Sequence, residues 1–472
     1  MTWMIFFAVP NLMLLIHGGA LFTALKSIFG IRRANFLFSI SVSYLLGELV
    51  VVLFLNLSSM LFGRFRWGLL WVTTAMGLLF LAWKAVRTPN WKTILRDKSK
   101  EFFSPPSLIP FFLILIICVP NFVVSFYDVL VQWDPRSIWF FHGKAFFYDN
   151  RIDVAFLKNP VYAINHPNYP VFIPLLSVFH MHFLGSWHEI LNKSFIFFHW
   201  LAALNLLYII WKALGVLPFF AFMGVSFLQF IHAPYAVWGL GDSLWSLALI
   251  MAMSLCFFLI ERGDSDAGRL NALLGVLFLG MAAYVKEEGL MGATIFLGVY
   301  LLGCRFAGKS RFRYALRLVP LFAAIAATWY GFVALRGIKS SRPVEILGFL
   351  RYGLADLVKR TVIIFHVPFA SKLMIPWQFY FAAAAAAFSL IYLLVRLRAC
   401  REFATSWMIM ATFWLIFLAY YLIFLGTPMP LEWHLVTSLE RVVVVNVMLS
   451  LFSLIWLTRV PPGALQAVPP AE

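Results

Sequence analysis

The stretch FFLILIICVPNFVVSFYDVLVQWDPRSIWFFHGKAFF, Phe111–Phe147, decides how this chain is read. Its first half is an apolar run without a single charge, and runs of about 17–25 such residues cross a membrane as helices. Its second half carries Asp128, Asp134, Arg136 and Lys144 directly at the mouth of that run. Outward from it, apolar runs recur at 3–25, 36–60, 66–86, 194–212, 216–234, 243–261, 268–285, 289–304, 314–335, 374–395, 405–426 and 442–458. With 106–127 they predict about thirteen spans. A lipid-exposed backbone must satisfy its own hydrogen bonds, so the spans are helices. The runs do not alternate as barrel strands do. The expected fold is therefore all-α and polytopic.

Composition agrees. Of the 472 residues, 62% are hydrophobic and 12% charged, and a soluble domain has about twice that charged share. The net charge of +17 fits the Lys/Arg-rich cytoplasmic loops of membrane proteins better than a nucleic-acid surface. Cys118, Cys256, Cys304 and Cys400 show no CxxC or Cys/His spacing, so neither a disulfide framework nor a thiolate metal site is expected. The N-terminus lacks a basic segment and a small-residue cleavage site, so no cleavable signal peptide is expected.

The basic stretches WKAVRTPNWKTILRDKSK, RFAGKSRFR and RLRACRE orient the chain, since basic loops stay cytoplasmic. The segment after the fourth span then lies outside, as one long loop over 128–193. Within it, 169–185 is apolar but short, and is expected as a juxtamembrane helix near the outer face. Arg64 and Arg66 also fall outside, as do Arg336, Lys339, Arg342, Arg351, Lys359, Arg360 and Lys372. Residues 343–366 read as an amphipathic helix on the membrane surface, its cations resting on headgroups or meeting a lipid phosphate. The alanines at 382–387 predict close helix packing. The chain divides into an N-terminal three-helix region (1–105), a membrane core (106–335), a C-terminal membrane region (336–460) and a disordered tail (461–472).

The outward ends collect ionisable residues from five segments. They are Asp128, Asp134 and Lys144; His166 and Tyr169 in NHPNYP; Asp242 in VWGLGDSLW; Lys286, Glu287 and Glu288 in YVKEEG; and His434 and Arg441 in EWHLVTSLER. Singly each has a plain explanation. Asp242 reads equally as a helix N-cap, Lys286 as a snorkelling lysine, and the tryptophans as an interfacial belt. Together, at one depth and on one side, they form a candidate site. Carboxylates there serve as general base or hold a divalent cation. Lys and Arg hold a phosphate and stabilise a phosphate leaving group.

These segments resemble a family. WDPRSIWFFHGKA, HPNYPVFIPLL, GLGDSLWSLAL, YVKEEGL and WHLVTSLERV, in this order over about 127–445, are similar to motifs of GT-C class membrane glycosyltransferases. The broad relatives are the protein O-mannosyltransferases and the lipid A aminoarabinose transferase. The chain departs from the pattern by one extra residue between Trp139 and Lys144, by Leu240 and Gly241 in place of Tyr-Ala, and by Val285 in place of Thr. The resemblance implies a GT-C-like fold, a polyprenyl-phosphate sugar donor, an acceptor outside the cytoplasm and inversion at the anomeric carbon. It implies an inner-membrane location and membrane lipid as surroundings, with no nucleic-acid partner. It implies Asp134 as base with Asp128 as its alternative, and Asp242 as second acid. Asp134 and Asp242 are the implied ligands of any Mg or Mn ion. Lys286, Arg441 and Lys144 would meet donor phosphate. His166, Tyr169, Glu287, Glu288 and His434 would shape the sugar and acceptor site. Alternatives are a transporter or flippase for lipid-linked sugars, which should show mid-membrane polar groups, an O-antigen ligase or polymerase, and a membrane scaffold.

Overall fold

A computed structural model of the chain describes residues 2–31, 34–130, 132–339, 346–370 and 403–460, with three isolated positions between 371 and 402. The described residues form helices and short helical turns, and two of them, Val216 and Arg459, meet in an isolated antiparallel bridge. Among the described residues ten helices are long and apolar enough to cross a membrane, eleven if the bent helix Leu431–Leu457 counts as one span. That length and composition mark a multi-pass membrane protein. Two of the thirteen expected spans are not among these. The span expected at 216–234 is the helix Pro218–Val237, of which Pro218–Phe230 counts as a shorter apolar helix. The one expected at 374–395 lies outside the described residues, as do the alanines 382–387, apart from Ala384 and Ala387, and the tail.

The N-terminal region is α1 (Thr2–Ile28), α2 (Phe36–Phe62), α3 (Trp67–Arg87) and an extra amphipathic helix α4 (Trp91–Phe102) within the first basic stretch. Helices α1 and α2 approach closely because Gly18 and Gly47 stand at their contact. An added Cβ on Gly47 would overlap the Leu14 carbonyl, and one on Gly18 the Ser43 carbonyl. Glycine buys nothing in propensity inside a helix; here it lets two backbones touch.

The core follows with α5 (Pro105–Tyr127), a π-helical turn at Pro135–Trp139, α6 (Phe140–Asp149), α7 (Val154–Lys158) and α8 (Phe172–Leu184). Helix α8 does not rest on a membrane face as the sequence suggested. Every residue from Phe172 to Met181 is buried. It packs against α6, α1 and α2. Its lack of any Asp, Glu, Lys or Arg makes that burial inexpensive.

The helices α9 (Phe195–Ala213), α10 (Pro218–Val237), α11 (Gly241–Glu261), α12 (Asp266–Val285), α13 (Glu287–Ala307) and α14 (Lys309–Arg336) complete the core. Helix α15 (Leu354–Ala370), α16 (Phe403–Gly426) and α17 (Leu431–Leu457) close the fold. Among the charges inside spans, Glu48 on α2 and His199 on α9 pair at 2.6 Å with both side chains buried. At one end of the bundle Arg459 meets Glu261 at 2.6 Å. The other end carries the α2–α3 turn, where Phe65 N donates to the Asn150 carbonyl at 2.8 Å and the Trp67 indole to the Asn150 side chain at 2.8 Å. Arg64 and Arg66 therefore sit at the same end as the segment after Asp134.

The basic stretch beyond α14 is a 3-10 turn, Ile346–Arg351, followed by α15. Arg360 points at protein rather than at a headgroup. Its guanidinium donates to the carbonyls of Leu425 at 2.7 Å, Phe424 at 3.3 Å and Thr427 at 2.7 Å. Those are the unsatisfied carbonyls at the C-terminus of α16. Arg360 also lies over the Tyr352 ring at 4.3 Å.

Candidate functional site

A cavity of about 590 Å³ opens at the Arg64 end of the bundle. Its walls include Asp134, His166, Tyr169, Lys286, Glu288, His434 and Arg441. With Trp238 and Leu240 from the turn before Asp242 also on the wall, five segments distant in sequence meet at one cavity.

Asp134 stands just before the π-helical turn, whose Trp139 is 1% exposed and anchors it. The Asp134 carboxylate accepts from the Arg441 guanidinium, 307 positions away. Arg441 lies where α17 bends by 50° between Leu431–Leu439 and Arg441–Leu457. A bend frees local backbone and turns a side chain inward.

Lys286 is the single extended residue between α12 and α13, with φ −157° and ψ 157°. The two helices close on one another because Gly289 abuts the Ala282 carbonyl. The break places Lys286 inward and Glu287 and Glu288 in the first turn of α13, where the helix dipole favours carboxylates. Lys286 Nζ reaches Asp242 Oδ1 at 2.7 Å and Glu288 Oε1 at 3.2 Å. Burial alone would lower the Lys286 pKa; Asp242 and Glu288 outweigh it and hold the ammonium above the ordinary lysine range.

Asp242 lies in the first turn of α11 rather than at its cap, which is Leu240. The turn before it needs Gly239 at φ +83°, and an added Cβ there would also strike the Phe140 ring at 2.7 Å. Asp242 is buried behind the cavity wall and joins the site through Lys286.

The NHPNYP segment supplies the opposite wall. His166 takes a left-handed conformation at φ +50°. Its ring stacks on Tyr169 at 4.5 Å, and Tyr169 stacks on Trp139 at 5.3 Å. Burial, then Glu288, Glu287 and Asp134, push the Tyr169 phenol well above its usual range, so it stays protonated. The Asn168 amide donates to Glu287, and the Trp329 indole donates to the Asn168 carbonyl at 2.9 Å. Glu287 therefore ties the loop to α13 beside the cavity. His434 Nδ1 meets the Thr427 hydroxyl at 2.9 Å, on the turn that Arg360 caps.

Two expected residues are not brought to the cavity. Lys144 pairs with Glu189 on the surface, where both are exposed. The helical turn that raised Asp134 inward carries Lys144 onto another face. Asp128 is half-buried, accepts from its own Val129 N–H at 2.9 Å, and lies within electrostatic reach of Lys193. Neither lines the cavity.

The residues do not suit a divalent ion. Asp242 is held by Lys286 and Asp134 by Arg441. No group of three or more His, Cys, Asp or Glu converges among the described residues. Hard cations need several oxygens around them.

Asn168, Trp329 and Thr427 escaped the sequence reading, as did Tyr420 on the cavity wall, and Arg360 was expected at headgroups or a lipid phosphate rather than at a helix end. Polar residues in NHPNYP and the basic excess at 336–372 were visible, but nothing in spacing says which helix end they meet. No family model matches this chain, no curated protein matches it, and no solved structure matches it.

Proposed function

We propose that the cavity is the active site of a GT-C-like glycosyltransferase. It moves a sugar from a polyprenyl-phosphate donor to an acceptor on the extracytoplasmic face of the inner membrane. The observation that carries this reading is the cavity itself. A buried lysine, Lys286, and a partly buried arginine, Arg441, face it beside the turn that carries Asp134, at one end of a membrane bundle. Its rim is apolar and aromatic, with Trp133 and Trp433 each about half exposed (50% and 49%). Such a rim suits an isoprenoid that stays in the bilayer while its head enters the cavity.

The chemistry is a single displacement. The acceptor's oxygen or nitrogen bonds to the anomeric carbon from the face opposite the phosphate. The bond from that carbon to the phosphate oxygen breaks, its electron pair leaves with the phosphate, and the configuration inverts. Lys286 and Arg441 stabilise the charge that develops on the leaving phosphate. Asp134 takes the acceptor's proton. In the free site Arg441 neutralises Asp134. A donor phosphate that draws Arg441 away frees the Asp134 carboxylate to meet the acceptor.

Mass spectrometry of polar lipids from wild type, a deletion strain and the deletion carrying Asp134→Asn tests this. A polyprenyl-phosphate sugar should accumulate in both defective strains while one glycan loses one residue. An Asp134→Asn strain indistinguishable from wild type would sink the assignment. One observation favours a second reading, transport of lipid-linked sugars: Glu48 on α2 and His199 on α9 form a buried ionisable pair inside two apolar helices, of the kind transporters use. It does not line the cavity. Under transport, Glu48→Gln would abolish function and Asp134→Asn would not.

A further inference from the structure

We infer that Lys286 is a resident cation that takes the place of a divalent metal, so that this site handles an anionic donor without a metal ion. The inference starts from geometry and stands apart from the proposed reaction in its first test. The Lys286 ammonium bridges two carboxylates from different helices, Asp242 on α11 at 2.7 Å and Glu288 on α13 at 3.2 Å. That is the placement a metal would need in order to join the same two acids. Lys286 is 4% exposed and Asp242 is 2% exposed, so the ammonium is held against its carboxylates with little water around it. Its backbone, the one extended residue between two packed spans, fixes where the side chain starts.

Two carboxylate oxygens beside the ammonium, Asp242 Oδ2 and Glu288 Oε2, are buried without a protein partner. They are the oxygens a metal would have to use. An ion there would stand next to the Lys286 charge and be repelled by it. The other acid at the cavity, Asp134, is already held by Arg441. The site thus carries its two positive charges covalently, on Lys286 and Arg441, where a metal-dependent site borrows them from solution. A lysine and an arginine aimed at one cavity suit the phosphate or diphosphate that links a head group to a lipid.

Removing the lysine should expose the metal site that it occupies. The experiment uses full-length protein in lipid nanodiscs and the spectrum of added Mn²⁺, which needs no turnover. Wild type is expected to bind no stoichiometric Mn²⁺ up to millimolar concentrations. Lys286→Met should bind about one, with at least tenfold higher affinity, and Lys286→Met/Asp242→Asn should lose it again. One Mn²⁺ bound to wild type, abolished by Asp242→Asn, would overturn the inference. So would a folded Lys286→Met protein that binds none. Should Lys286→Met fail to fold, the wild-type titration decides independently. Where transfer activity is measurable, wild type should turn over equally in EDTA and in Mg²⁺; a tenfold loss in EDTA restored by Mg²⁺ also overturns it. A wild type that is inactive in both media yet binds no Mn²⁺ upholds the resident cation and counts against the transferase reading alone.

Discussion

Replacing Lys286 by Met should be among the most damaging single changes in this chain, and the size of the effect follows from its surroundings. The side chain is about 5% exposed, and its carboxylate partners Asp242 and Glu288 are 2% and 15% exposed. Solvent screening is therefore small. Removing one member of a buried ion pair costs about 3–5 kcal/mol, because the charge left behind has neither water nor a partner. Lys286→Met strands two carboxylates, so the upper part of that range is expected. Asp242→Asn should cost less, about 1.5–3 kcal/mol, because Lys286 keeps Glu288. The double variant restores a matched, uncharged Met–Asn contact, so its cost should fall short of the sum by about 2 kcal/mol. Unfolding can be followed by a thiol-reactive dye, since Cys118, Cys256 and Cys304 are all buried. Cys400, which lies outside the described residues, is changed to serine for the assay. Strictly additive losses would refute the pairing. So would a Lys286→Met protein as stable as wild type.

Four further outcomes follow from other parts of the structure. Asp134→Asn should lower transfer about 10²–10⁴-fold, the usual worth of a general base, while donor lipid still binds in a pull-down of labelled lipid. Lys144→Ala should change stability by less than about 0.5 kcal/mol and leave transfer intact, because its pair with Glu189 is exposed; a large loss would return Lys144 to the site. His142 is buried, and that burial, with His166 adding to it, holds its imidazole down to about 3. Its folded pKa lies below the unfolded value of about 6.5, so the unfolded chain binds more protons between the two. Stability tied to His142 is full above about pH 6.5 and is lost as pH falls toward 3. At pH 5 the loss is about 2 kcal/mol, and His142→Phe should blunt acid destabilisation by that amount in denaturation at pH 7 and pH 5. Gly289→Val should push α13 off the Ala282 carbonyl. That overpacking costs about 1–3 kcal/mol, and a crosslink engineered between α12 and α13 should form more slowly.

The architecture was legible in proportion to how one-dimensional its cause is. Length and unbroken apolarity fix a membrane helix, so the runs at 36–60, 243–261 and 268–285 reappear with their ends moved by only a few residues. Helix α8 has the same apolarity but half the length. Its sequence does not say whether its partner is a membrane face or other helices, and only packing against α1, α2 and α6 decides. The site shows the same division. Charge at an outward helix end singled out Asp134, Asp242, Lys286, Glu288 and Arg441, because an ionisable group near a span is expensive unless it is used. Which acid answers which base is a contact over 44 positions for Asp242–Lys286 and 307 for Asp134–Arg441. Spacing carries nothing about contacts of that range.

The same argument explains Lys144 and Arg360, the two cations whose places differ most from their sequence context. Lys144 stands in the signature segment beside Asp134, yet ten residues of helical and π-helical turning separate them, and the side chain emerges onto solvent. Arg360 stands in a basic amphipathic stretch that suggested headgroups. It instead fills the carbonyl end of α16, a need created by a helix that stops at the buried Gly426. A cation near lipid goes to whichever anionic or carbonyl group is least hydrated, and a helix C-terminus buried under α15 is less hydrated than a phosphate in the interface. Arg360→Ala should therefore loosen the Phe424–Thr427 turn, and with it the Thr427–His434 contact on the cavity wall. Hydrogen exchange of the Thr427, Met429 and Leu431 amides should rise in the variant while that of α11 and α12 stays unchanged. Unchanged exchange at Thr427, with reduced binding to anionic vesicles, would return Arg360 to the lipid.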